Sequence, residues 1–266
     1  MAANKKMKNK NPEIKFKGGV IIIGSLLWDN SKIRKEWKNQ NLNMDQKKII
    51  NVPIRYGRVS KSRNCTHSMI FSSECKSDDK MGKGYFIPFN NELSIKQILE
   101  QGKFMIDAEH NKTTKLYRFN WSWGCLGITI NPNLSIDKSK DLKFKWSEKY
   151  TNGFNPRQYK IDKEESIISK EGLLKIKWAN ELKEIDFIIG TATKPNIDFY
   201  PNSREIAIKM IVNKYDEYFK NNRENSITTF QDSERQRVHT SPNVSLELVF
   251  NQLMNTVFFS NEHKTV

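Results

Sequence analysis

Hydrophobic and polar positions along this chain follow two periods, and the changes between them mark out the elements. Residues 18–24 are a short apolar run between glycines, which reads as a buried strand. Gly24-Ser25-Leu26-Leu27-Trp28 leaves it as a turn, and Asn30 or Ser31 is placed to cap a short helix through Trp37. Strands are expected at residues 52–59 and 66–72. A polar loop at 73–80 separates them from a glycine-flanked strand at 84–89, whose end Pro88 places at an edge or a bulge. Residues 94–109 carry the plainest helical period: Ile95, Ile98, Leu99, Gly102, Met105 and Ile106 fall on one stripe at about 100° per residue. Tyr117, Phe119, Trp121 and Trp123 then alternate with Arg118, Asn120, Ser122 and Gly124, so a strand with one aromatic face is expected, extended by residues 126–130.

The second half is less regular. Residues 134–170 are charged and weakly patterned, with one strand expected at 142–146. Two last strands are expected at 172–178 and 186–193. A helix capped by Asn202 or Ser203 is expected to run to about Phe219 through Ile206, Met210, Ile211 and Tyr215. Residues 226–236 read as a polar linker and residues 244–259 as one more amphipathic helix. No internal repeat is visible. Strands dominate the first two-thirds with helices inserted, which argues α+β with a mixed or closed sheet rather than repeated βαβ units. The organisation read from this is a disordered basic tail at 1–13, one α+β domain over 14–225, and a linker with a C-terminal helix over 226–266.

Composition narrows the class. The chain has 266 residues with 37% hydrophobic and 11% aromatic content, enough for a core, which excludes wholesale disorder. No apolar run approaches the roughly 18 residues of a membrane span. The basic N-terminus is followed by no apolar segment or cleavage site of a secretory signal. Three cysteines (Cys65, Cys75 and Cys125) lie in no CxxC pattern, which suits a reducing, cytoplasmic setting. The sequons at Asn64, Asn111, Asn120 and Asn243 are expected by chance in so Asn-rich a chain. With 45 Lys and Arg against 30 Asp and Glu the net charge is +15. The lysines are spread along the whole chain, the densest cluster being Lys5, Lys6, Lys8 and Lys10, followed by Lys15 and Lys17. This cluster is either a solvated tail or a non-specific phosphate contact.

Two features carry candidate chemistry. The first is the Gly24-Ser25-Leu26 turn at the end of an apolar strand, where exposed backbone N–H groups suit an anion such as a carboxylate. The second is Glu109. It falls on the apolar stripe of the 94–109 helix, whereas Glu100 and Asp107 fall on the polar face. It also lies in the last turn, where the helix dipole disfavours negative charge. Both influences raise a carboxyl pKa, and a carboxylate so raised takes and returns a proton near neutral pH. If the helix ends before Glu109, that residue is instead a solvated surface acid.

At these residues the chain resembles the γ-glutamylcyclotransferase-like superfamily. Ile23-Gly24-Ser25-Leu26, continued by Leu27-Trp28, is similar to the motif that follows the family's first strand. Arg55-Tyr56-Gly57-Arg58-Val59-Ser60 with Arg63 is similar to its Arg- and Tyr-rich strands, and Gly84-Tyr85-Phe86 to its Gly-x-x-(Tyr/Phe) strand. The resemblance covers about residues 18–130 and implies a small, partly closed mixed β-barrel with packed helices. It implies cyclisation of a γ-glutamyl amide to 5-oxoproline with release of an amine, with no cofactor or metal. Glu109 would be the acid/base, and Ile23, Gly24, Ser25 and Leu26 the cradle for the substrate carboxylate. The family's first Tyr is Ile23 here, so a phenol that lines the pocket is missing at that position. The spacing from Gly84 to Glu109 is also longer than in the glutathione-acting branch.

Other signals give the competing readings. Arg58 is expected to share a strand face with Ile54 and Tyr56, and Arg55 the opposite face with Gly57 and Val59. Arg58 and Arg63 are further substrate-binding candidates, since arginine forks suit carboxylate or phosphate. The aromatic strand with the basic surface would suit a nucleic-acid- or phosphate-binding module, but an aromatic stripe also serves as the core face of a sheet. A catalytically inactive family member is a third reading. Cys65 and His67, two apart on one strand, are not the usual build of a nucleophile and base. The four histidines, His67, His110, His239 and His263, lack metal-ligand spacing.

Overall fold

The computed structural model describes residues 13–63, 65–115, 117, 123–212 and 217–232. Its elements are β1 (Gly18–Ile22), α1 (Lys32–Asn41), β2 (Lys48–Val52), β3 (Ile54–Ser60), β4 (Thr66–Phe71), β5 (Gly82–Pro88), α2 (Ile95–His110), β6 (Gly124–Ile130), α3 (Ile136–Tyr150), β7 (Phe187–Thr193), α4 (Ser203–Val212) and α5 (Glu217–Glu224). This is α+β. A five-stranded mixed sheet has the order β2-β5-β1-β7-β6, and β3 and β4 form a separate hairpin. Among the described residues the ladders form no closed barrel. No described helix is long and apolar enough to cross a membrane.

The apolar run of β1 makes it the centre. All five of its residues are buried, and it pairs antiparallel with β5 and parallel with β7. Parallel pairing with a strand about 170 residues later (Gly18 against Phe187) puts most of the chain into the crossover between them. β5 is internal, but the β2 ladder begins opposite Phe86; on that side Pro88 only accepts, its carbonyl taking the Asn43 N–H at 2.9 Å, so its missing N–H interrupts no second ladder.

Several expectations are corrected. The strand expected at 52–59 is two strands, because Pro53 separates β2 from β3. Residues 142–146 are not a strand but lie inside α3. Leu142, Trp146 and Tyr150, four apart, are buried while Phe144 is 62% exposed, so the apolar period is helical. Residues 172–178 form no strand; Leu173 and Leu174 make only isolated bridges. The helix expected to run to Phe219 is described as α4 and α5. Phe119, Trp121, the 1–12 tail and the helix expected at 244–259 lie outside the described residues. Tyr117 and Trp123 are half-buried against the core, which matches a packing face rather than an open stacking platform.

α2 forms as expected and reaches His110. Gln97 accepts the Ser94 N–H at 2.9 Å in a capping box, and Asn111 ends the helix with φ of 49°. Asp107, expected on the polar face, is buried: it pairs with Lys103 and accepts the Thr114 N–H at 2.9 Å. The chain after the helix folds back and covers it. Gly102 lets α3 close on α2, since a Cβ there would lie 2.4 Å from the Tyr150 hydroxyl.

The segment read as a polar linker joins the two sheets. Thr228 bridges Lys83 of β5, with Lys83 N–H to Thr228 O at 2.7 Å. The buried Gln231 side chain accepts the Tyr56 N–H of β3 at 2.8 Å and donates to the Pro201 carbonyl. Its polar residues are therefore satisfied inside the protein rather than by water.

The helical assignment of residues 142–150 predicts a contrast. Trp146→Ala should cost about 3–5 kcal/mol, whereas Phe144→Ala should stay within about 0.5 kcal/mol. Denaturant unfolding measures both; equal losses would restore the strand reading, in which residues 142, 144 and 146 share a face.

Candidate active site

The residues singled out by sequence converge on one cavity. It has a volume of about 540 Å³, and Ile23, Gly24, Ser25, Leu26, Arg58, Arg63 and Glu109 all line it. They come from three places: the exit of β1, the β3–β4 hairpin and the last turn of α2. The cavity lies over the end of the β1–β7 pair, with Thr191 and Thr193 of β7 on its wall.

The Gly24–Trp28 turn is held from below. Leu27 and Asp29 donate their N–H groups to the Gly24 and Ser25 carbonyls at 3.0 and 2.8 Å. The buried Lys38 ammonium of α1 donates to the Leu27 carbonyl at 2.8 Å, the Asp29 carbonyl at 3.0 Å and the Asn30 amide oxygen at 3.1 Å. Burial lowers the Lys38 pKa. Among the described residues nothing occupies the N–H groups of Ser25 and Leu26, so the turn retains free donors on a wall of the cavity.

Glu109 is in helical conformation and not beyond a frayed end. It is half-buried on the cavity wall, and burial raises its pKa above the ordinary 4.5. An interaction with the Thr191 hydroxyl and the charges of Arg34 and Arg63 pull the other way, and burial prevails. The buried Thr191 hydroxyl has no regular hydrogen-bond partner.

The arginines are fixed differently from expectation. The register pairs Tyr56 with Met69 and Arg58 with Ser68, so Gly57 is the extra residue of a β-bulge. The bulge breaks the alternation that would have put Arg58 on the face of Tyr56. Arg58 donates to the Lys194 carbonyl at 2.9 Å, and its burial lowers its pKa. Arg55 instead stacks 3.7 Å from the centre of the Tyr200 ring, away from the cavity. Arg63 donates to the Ser25 hydroxyl at 2.8 Å, which ties the hairpin to the turn.

Two residues escaped the sequence reading, Arg34 and Tyr218, and the cavity role of a third, Trp123, was not foreseen. Arg34 of α1 lines the cavity and donates to the carbonyls that end α2. Tyr218 of α5 brings a phenol to the cavity. A Cβ on Gly24 would lie 3.4 Å from its hydroxyl, the Met69 N–H donates to it at 3.1 Å, and Arg63 lies 4.8 Å from its ring centre. Trp123 closes another side, edge-on to His110. Sequence signalled only the aromatic stripe to which Trp123 belongs.

The described histidines and cysteines are dispersed. Among the described residues no three His, Cys, Asp or Glu side chains are placed to hold a metal ion. Cys65 is exposed, while burial raises the Cys75 thiol to about 11 and the Cys125 thiol to about 12, leaving both protonated at neutral pH.

No protein-family model matches this chain, and neither a curated protein nor a solved structure matches it significantly.

The raised Glu109 pKa has a signed consequence for stability. A carboxyl whose folded pKa lies above 4.5 makes the protein lose stability as pH rises from there through the folded value. Glu109→Gln, neutral at all pH, should match the parent in melting temperature below that range. It should become the more stable protein as pH rises to about 8. A pH-independent difference would mean that the carboxyl is not sheltered.

Proposed function

We propose that this protein is a γ-glutamylcyclotransferase-type enzyme that cyclises a γ-glutamyl amide to 5-oxoproline and releases an amine. The observation that carries the proposal is the placement of Glu109, a carboxyl with a raised pKa, in one cavity with the free N–H donors of the Gly24–Leu26 turn. The resemblance over residues 18–130 supplies the reaction class, and a five-stranded mixed sheet is compatible with a partly closed barrel of that type.

In this mechanism the Ser25 and Leu26 N–H groups, with Arg63 beside them, hold the substrate α-carboxylate. The α-amine then faces the substrate's own γ-carbonyl, and the ring closes within one molecule, which removes the cost of bringing two reactants together. Glu109 takes a proton from the attacking nitrogen and passes it to the leaving nitrogen as the γ-amide C–N bond breaks. A raised pKa suits both halves of that exchange. Arg58 lies on the hairpin wall, where it meets the remainder of the substrate. The reaction as implied by the resemblance uses no cofactor, and the unpaired cysteines fit a cytoplasmic setting. The Tyr218 phenol, on the cavity wall close to Gly24, offers the group missing at Ile23 from another element.

The test is release of 5-oxoproline from a panel of γ-glutamyl amines, γ-glutamyl dipeptides and glutathione. Turnover of at least one is expected, and Glu109→Gln should fold normally yet lose about a hundredfold or more of it. Full activity in that variant, or no release from any substrate, overturns the proposal. In the second case, salt-sensitive binding of single-stranded nucleic acid would favour the binding-module reading.

A further inference from the structure

The proposed chemistry requires Glu109 to stand at a fixed place beside the Gly24–Leu26 turn, and one residue outside both provides a direct link. Arg34 lies on α1 with its side chain only 13% exposed. Its Nε donates to the Ala108 carbonyl at 2.7 Å and its Nη2 to the Glu109 carbonyl at 3.0 Å. Its Nη1 pairs with Asp29, at the far end of the turn that begins at Gly24. We propose that Arg34 is a positioning residue: one guanidinium joins the helix end that carries the acid/base to the loop that carries the amide cradle, and so sets their separation. This inference rests on the cyclotransferase reading of the cavity.

Three observations support it independently. The last carbonyls of a helix have no partner within the helix, and a carboxylate there meets the negative end of the dipole. Arg34 both accepts that duty toward the carbonyls and places a cation at that end. Lys38 lies one turn further along α1 and holds the Leu27 and Asp29 carbonyls, so a single helix face braces the whole loop. The planar fork of an arginine makes the three contacts at fixed mutual angles, which an ammonium does not.

The surroundings of Glu109 leave Arg34 a specific electrostatic share. Arg63 approaches from the hairpin and Thr191 from β7. Arg58, Lys61 and Tyr218 stand on other walls of the cavity, His110 follows in the chain, and Asp29 partly offsets Arg34. Removing Arg34 leaves Arg63 as the other cation that acts on the carboxyl, so ionisation of Glu109 becomes harder.

The experiment compares the parent, Arg34→Gln and Arg34→Lys. With a substrate turned over by the parent, kcat and KM are measured from about pH 5 to 9. Arg34→Gln should lower kcat at least about tenfold with KM within about twofold, and move the acid limb of the kcat profile to higher pH. Arg34→Lys keeps the charge and loses the fork; it should leave the limb in place while kcat still falls. A merely structural residue would lower the melting temperature without moving the limb. An unmoved limb in Arg34→Gln, or parental kcat in Arg34→Lys, overturns the proposal. The second variant stands if the first fails to fold.

A parallel measurement needs no activity. The melting-temperature gap between Glu109→Gln and its Glu109 parent is followed with pH, with and without Arg34→Gln. In the Arg34→Gln background the gap should keep widening to higher pH and reach a larger value. An unchanged gap refutes the role of Arg34 even if no 5-oxoproline is formed. A widened gap without any turnover keeps the coupling and removes the cyclotransferase reading instead.

Discussion

Sheltering a carboxyl from water is costly, and the arrangement around Glu109 offsets that cost without cancelling it. Two guanidiniums and a threonine hydroxyl act on the group, and each comes from a different part of the chain: α1, the β3–β4 hairpin and β7. None of the three is a rigid ion-pair partner, since Arg34 pairs with Asp29 and Arg63 with the Ser25 hydroxyl. The result is a carboxyl whose pKa stays above its ordinary value although two cations act on it. A dedicated ion-pair partner would have pulled that pKa back down.

The chain handles its other sheltered cations in a related way. Lys38, Arg34 and Arg58 each donate to main-chain carbonyls at loop, helix or strand ends. Such oxygens carry partial negative charge, and a cation placed there satisfies orphan acceptors while it holds two segments together. The excess of basic residues is therefore not only a solvated coat. Part of it serves as internal bracing where the elements meet the cavity.

How far the sequence could be read follows from the range of each interaction. β1 and α2 declare themselves because their apolar periods are local, and the position of Glu109 on the α2 stripe follows from angle alone. The site residues on the β1 exit and the hairpin were legible through the resemblance and through Gly-Ser turn chemistry. Arg34 and Tyr218 were not, because their importance arises from contacts with residues 74 or more positions away. The same holds for Asp107, whose burial depends on the chain that folds back over it, and for Gln231, whose amide replaces a strand partner for Tyr56. α3 was missed because Leu142, Phe144 and Trp146 satisfy a strand's alternation by accident, while the residue that settles the matter, Tyr150, lies beyond the window. Pro53 was visible, but its effect depends on β2 and β3 belonging to different sheets.

The bridge that residues 227–232 make between β5 and β3 bears on the order in which a ribosome delivers this chain. The hairpin that carries Arg58 and Arg63 is synthesised early, yet the segment that bonds it to the main sheet, and the α5 phenol that backs Arg63, emerge some 150 residues later. Domains tend to fold as they leave the ribosome, from the N-terminal end. Here the β1 strand lacks its parallel neighbour until β7 is made, and the cavity lacks its Tyr218 wall until α5 follows. The growing chain thus carries a central strand with one edge open from the completion of β5 to the arrival of β7, and the cavity gains its Tyr218 wall only with α5.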